Sequence, residues 1–139
     1  MTTNNTLTIF NESKGTPQAC GVPFVEIKNK ILGKNYDLEL IFTNEKKIHT
    51  LNKMYRKINS PTDILSFPID KKRGEIFICE KMAKIKAKEF GREYGSTSFT
   101  TGNNFIAFLF IHGCVHLLGY DHGDKMEKIE IKFRKLFKI

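Results

Sequence analysis

Three of the chain's four histidines fall within eleven residues, HGCVHLLGYDH, positions 112 to 122. Imidazole is the commonest metal ligand among side chains, because one ring nitrogen can bind while a hydrogen bond fixes the other. The spacing is H-x3-H-x5-H. On a helix His112 and His116 stand one turn apart on the same face. Gly119 can take the left-handed conformation that ends a helix and reverses the chain. The five-residue interval then lets His122 return towards the first two. Three imidazoles so placed can share one ion at about 2.0–2.1 Å. Cys114 sits about 200° round the helix from His112 and reads as core. Zinc heads the candidates, ahead of copper, iron and nickel, because three histidines with an open fourth position form a catalytic zinc pattern. Three neutral ligands leave the ion's charge uncancelled, which lowers the pKa of a bound water to about 7. A helix-face reading without metal suits a lone histidine; three of four in eleven residues, with a glycine at the bend, favour the metal.

The ligand spacing also coincides with the metzincin peptidase pattern H-E-x-x-H-x-x-G-x-x-H. The glutamate of that pattern takes a proton from the attacking water. Here its place is held by Gly113, which cannot do so. The spacing is that of a peptidase, but the base is absent, and this argues against peptide hydrolysis by that route.

A second stretch, LNKMYRKINSPTDILSFP at 51 to 68, runs from a helix through a proline turn into a strand. Taken with HGCVHLLGYDH, it resembles the YbeY family of bacterial metal-dependent endoribonucleases. The resemblance spans about residues 37 to 122. It rests on Leu51, Asn52, Tyr55, Arg56, Pro61, Thr62, Asp63, Leu65, Ser66 and Phe67, and on His112, Gly113, His116, Leu117, Gly119, Tyr120, Asp121 and His122. The resemblance implies a single-strand-specific endoribonuclease acting in ribosomal RNA processing, notably near the 3′ end of the small-subunit RNA, and in ribosome quality control. It implies one Zn2+ on His112, His116 and His122, and Arg56 facing phosphate in an RNA cleft. The implied partners are ribosomal RNA and small-subunit components, with no membrane and no DNA. Two departures stand out. Gly74-Glu75 replaces the family's usual Gly-Asp, and GSTSFTTGNN replaces its Gly-His-Ser and following Arg-Glu ahead of the buried helix.

Other residues have more than one reading. Asp121 could orient a ligand histidine by accepting its second N–H, or stabilise a turn. Glu75 or Asp63 could serve as a base, although for Asp63 a turn role fits the local sequence better. His49 could reach a cleft or stay on an exposed helix face. Two rival functions follow: a zinc hydrolase on another substrate, or a ribosome-assembly factor with a closed structural zinc site. Closed sites have four protein ligands, so Cys20 or His49 as a fourth ligand would favour the latter.

These side chains need a scaffold, and the periodicity supplies one. TLTIF at 6–10 alternates as a strand. Pro23 can open a helix carrying Phe24, Ile27 and Ile31, closed by Gly33. Residues 37–43 read as strand. Asn44 caps a helix with Ile48, Leu51, Met54 and Ile58 inward, ending before Pro61. Residues 64–69 and 75–79 read as a hairpin, 80–91 as a helix, and 91–103 as a loop. FIAFLFI at 105–111 is continuously apolar, so periodicity cannot choose strand or helix; the histidine pair after it decides for helix. A last helix starts near Asp124 and Glu127, with Met126, Ile129, Phe133 and Leu136 inward. The expected fold is α+β, a small mixed four-stranded sheet with about five helices, order β-α-β-α-β-β-α-α-α, in one domain over 1–139.

Composition bounds the partners. With 139 residues, 40% hydrophobic, the chain can build a core. A formal charge of +8 suits a polyanion, because lysines that neutralise phosphates release counterions; surface solvation alone would look the same. The basic last helix and the KKR run at 71–73 are the candidates for tracking an RNA backbone. Three widely spaced cysteines, Cys20, Cys79 and Cys114, form no disulfide framework and fit a reducing compartment. No apolar run has spanning length and the N-terminus has no signal pattern, so the expected location is cytoplasmic.

Overall fold

The computed structural model describes residues 2–4, 6–13, 21–94 and 104–139. Its elements are β1 (Thr2–Asn4), β2 (Leu7–Asn11), α1 (Phe24–Ile31), β3 (Asp37–Phe42), α2 (Glu45–Arg56), β4 (Ile64–Asp70), β5 (Arg73–Ile78), α3 (Glu80–Tyr94), α4 (Asn104–Leu117) and α5 (Asp124–Leu136). The expected α+β order stands, with one short strand added at the start. Thr2–Asn4 is polar and three residues long, too short to show any period. The loop expected over 91–103 begins later, because α3 continues to Tyr94; its remaining residues 95–103, and Cys20, lie outside the described residues.

The sheet order is β1-β2-β3-β5-β4. The β2–β3 and β3–β5 pairs are parallel, and β1–β2 and β4–β5 are antiparallel. The hairpin is tighter than its sequence suggested. Asp70 pairs with Arg73, so only Lys71 and Lys72 form the turn, and the Lys72 N–H donates to the Asp70 carboxylate at 2.9 Å. Strand β4 is left at the sheet edge, with one flank unpaired by any described strand.

Alternation along β3 and β5 sends side chains to two faces. Leu38, Leu40, Phe42, Ile76 and Ile78 join the main core with α1 and α4. Ile41 and Phe77 join Ile48 of α2, Leu65 and Cys79 in a smaller one. Helix α4 contacts α1, α3, α5, β4 and β5. A helix enclosed on so many sides must be apolar all round, which is why FIAFLFI showed no period. Cys114 is buried in this core, and burial pushes its thiol well above the ordinary range.

The local signals hold in part: at the start of α5 Gly123 is the N-cap and no side-chain cap forms, and Met54, Ile58 and Leu136, expected inward, are exposed. Asn44 accepts the Lys47 N–H at 2.8 Å and so caps α2. No helix among the described residues is long and apolar enough to cross a membrane.

Gly113 explains the missing glutamate. It is buried where α4 crosses the sheet, and a Cβ there would lie 3.0 Å from each of Ile64 Cδ1, Ile76 Cδ1 and Ser66 Oγ. Helix α4 sits this close only because nothing projects at 113. Alanine gains about 1 kcal/mol in helix propensity over glycine, but overpacking costs about 1–3 kcal/mol. Gly113→Ala is expected to lower stability slightly in thermal melts. Gly113→Glu should lower it far more, since its carboxylate would be buried among isoleucines. An alanine variant more stable than the parent would mean that α4 is not seated tightly.

Candidate metal centre and cleft

The three histidines converge. His112 and His116 project from the last turns of α4, one turn apart. The helix then closes on bonds from Leu118 N–H to the Cys114 carbonyl and from Gly119 N–H to the His116 carbonyl. Gly119 has φ +106, a conformation that side chains with a Cβ rarely adopt. The chain reverses there, and His122 comes back from the turn ahead of α5. The ring centroids of the three lie 4.6 to 5.2 Å apart.

Two ring orientations are fixed from behind. His116 Nδ1–H donates to the Tyr120 carbonyl at 3.0 Å. His112 Nδ1 meets the carboxylate of Glu130, on α5. With each Nδ1 acting as donor, Nε2 of His112 and of His116 presents a lone pair. Those atoms point to a common centre: Nε2 of His122 lies 3.3 Å from that of His112 and 3.4 Å from that of His116. Two nitrogens held about 2.0–2.1 Å from one ion at the tetrahedral angle stand about 3.3–3.4 Å apart, so the donors fit a tetrahedral cation in type and in spacing. Burial, with His112 and His122 crowded alongside, holds His116 below the ordinary imidazole range. Its lone pair is therefore free at neutral pH.

Glu130 is the residue that the sequence reading missed. The orienting role considered for Asp121 is filled at His112 by Glu130 and at His116 by a backbone carbonyl; Asp121 itself lines the cleft. Glu130 lies eighteen residues from its histidine, so no local spacing announces it. Its position on the inner side of α5, one residue after Ile129, was the only available sign. Glu130→Gln keeps the shape and removes the charge. It is expected to weaken metal binding about 10- to 100-fold, read by competition against a chromophoric chelator. Unchanged affinity would remove Glu130 from the centre.

The histidines open onto a cleft of about 830 Å³. Also lining it are Tyr55 and Arg56 from the end of α2 and the edge strand β4 from Ile64 to Pro68. Arg56 is thus brought to the same cleft as the three histidines, and it is exposed. The end of α2 is fixed in place. Lys57 takes the left-handed cap position with φ 62, and the buried Asn52 donates from Nδ2 to the Ser60 carbonyl at 2.9 Å.

The remaining candidates separate. His49 lies outside the histidine group, with its Nε2 2.9 Å from Asn59 Oδ1. Among the described residues, the grouping that could hold a metal is His112, His116 and His122. Asp63 lines the cleft, and burial raises its carboxyl, partly offset by backbone N–H groups and the Thr62 hydroxyl. Glu75 does not line it; it pairs in register with Glu39 on β3, and burial followed by that neighbour raises its carboxyl. The exposed lysines of α5, at 125, 128, 132 and 135, fall within about 80° of arc roughly opposite Glu130. That face of α5 points away from His112.

A family model described as "Endoribonuclease YbeY" matches residues 18–136. Several relatives carry the same name, among them these three. The one from Acholeplasma laidlawii is 39% identical over 106 residues, covering 73% of this chain and 72% of its own. Those from Sulfurimonas denitrificans and Aquifex aeolicus are 38% and 36% identical, over 112 and 120 residues, covering 76% and 81% of this chain and 75% and 74% of theirs. The solution structure of TM1509 from Thermotoga maritima is similar with a TM-score of 0.59 and 28% identity, over 91% of this chain and 85% of that one.

Proposed function

The chain belongs to the YbeY endoribonuclease family, and on that premise we propose that it is a zinc-dependent, single-strand-specific endoribonuclease. Its substrate is ribosomal RNA precursor, cut near the 3′ end of the small-subunit RNA, and the same activity serves ribosome quality control in the cytoplasm. The observation that carries the reading is the meeting of three histidine Nε2 atoms with an exposed arginine in one cleft.

His112, His116 and His122 would hold the ion, with Glu130 and the Tyr120 carbonyl holding two of the rings. When bound, a divalent ion there supplies Lewis acidity, polarising a phosphoryl oxygen and easing deprotonation of water. Cleavage builds negative charge on the phosphoryl oxygens, and preset positive charge lowers that barrier. Arg56 contributes a guanidinium that stays ionised and pairs with two oxygens at once. Asp63 offers a carboxyl in the same cleft to accept a proton. Peptide hydrolysis is disfavoured, because the base of that chemistry would have to occupy the closed space at Gly113.

The test is cleavage of a small-subunit RNA precursor bearing its 3′ extension, by purified protein, with the product ends mapped. Cleavage in single-stranded RNA is expected, lost on chelation, restored by zinc and absent on a duplex of the same sequence. Cleavage that persists in chelator would sink the metal-dependent reading.

A further inference from the structure

We propose that Tyr55 is a base-stacking residue, holding an unpaired nucleobase against its ring in the cleft while the adjacent Arg56 takes phosphate. The inference rests on the endoribonuclease reading and adds how the cleft selects a single strand.

Tyr55 lines the cleft together with the three histidines and Arg56. It is 62% exposed and belongs to neither core. An exposed tyrosine on a helix is ordinary by itself; this one is backed by a chain of rings. Its centroid lies 5.3 Å from that of Phe67 at 63°. Phe67 lies 5.8 Å from Phe77 at 75°, and Phe77 is buried with Ile41 and Ile48. Edge-to-face contacts of this kind hold rings in preferred orientations. The series leads from the smaller core out to the cleft and ends on a ring with most of its surface free. The other tyrosine lining the cleft, Tyr120, packs against the main core and gives its carbonyl to His116.

A rigid exposed ring next to a guanidinium matches what single-stranded nucleic acid offers, alternating flat bases and charged phosphates. Stacking needs a free π-face, and bases inside a duplex have none to give. Tyr55 would then favour unpaired RNA without reading its sequence, since every base has such a face. The ring is the working part; the hydroxyl is dispensable.

The test is rapid-mixing fluorescence anisotropy of a short single-stranded RNA, read before cleavage. The intact strand is compared with a set in which one base at a time is removed to leave an abasic ribose. With wild-type protein, one abasic position should weaken binding by roughly five- to 150-fold. Tyr55→Ala should weaken binding of the intact strand by a similar factor and become indifferent to that abasic site. Tyr55→Phe should behave as wild type. Tyr55→Leu keeps an apolar contact for Phe67 but has no ring, and should behave as the alanine variant, which separates stacking from packing. The salt dependence of binding should be unchanged in Tyr55→Ala, since no phosphate contact is lost. An equal response to every abasic strand in wild type and Tyr55→Ala overturns the stacking role while leaving the endoribonuclease reading intact. Wild-type protein that neither binds nor cleaves the intact RNA overturns both.

Discussion

Replacing His116 with alanine is expected to lower cleavage of ribosomal RNA precursor on the order of a thousandfold and to drop metal content from about one ion per chain towards none. His116 is the central member of the trio, its ring 4.7 Å from that of His112 and 4.6 Å from that of His122. Removing it leaves two imidazoles, and two donors hold a divalent ion far less firmly than three. The ion's polarising effect is worth several kcal/mol; about 4 kcal/mol corresponds to a thousandfold in rate. Fold loss would not explain the result, because His116 belongs to neither hydrophobic core, and circular dichroism should show native helix content. The measurement is paired, with cleavage rate and bound zinc taken on the same preparations. Equal cleavage by variant and parent would point to a contaminating nuclease or to a different active centre. Loss of metal with cleavage retained would leave the histidines a structural role.

Most of what is legible in the sequence is carried by local geometry. Histidines four apart on a helix share a face, a glycine in the right place turns the chain, and asparagine before a helix caps it. These relations span a few residues, so HGCVHLLGYDH was enough to bring three histidines together. Arg56 came from elsewhere: on its own it reads as a solvated helix residue, and only the resemblance of a longer stretch singled it out. The parts that stayed hidden are long-range. Glu130 reaches His112 from the next helix. Lys28 is fully buried and looks like an ordinary surface residue in sequence; its ammonium is held by the Thr6 hydroxyl, Asn29 Oδ1 and the Lys34 carbonyl. The Tyr55–Phe67–Phe77 series joins a helix and two strands. Gly113 is instructive in the other direction. In sequence it shows only as the absence of a base, and the packing of α4 on Ile64, Ile76 and Ser66 makes that absence steric as well as chemical.

The same distinction between charge and shape decides what Arg56 should do. Arg56→Ala is expected to lower kcat by about 10²–10³, the usual cost of removing one preset group that stabilises transition-state charge, about 2.7–4 kcal/mol. Stability should hardly move, because the side chain is exposed at the end of α2 and surface changes usually stay within about 0.5 kcal/mol. Arg56→Lys is the sharper variant. It keeps the positive charge, so the salt dependence of RNA binding should stay as in the parent, whereas Arg56→Ala should lose about 0.7 from the slope for one phosphate contact on a single strand. The lysine variant should nonetheless recover little of the lost kcat, since an ammonium is a point charge and cannot span two phosphoryl oxygens as a guanidinium does. Full recovery by lysine would mean that charge alone suffices at this position. An alanine variant with unchanged kcat and unchanged slope would remove Arg56 from the reaction, and the positive charge beside the scissile phosphate would then have to come from the metal centre alone.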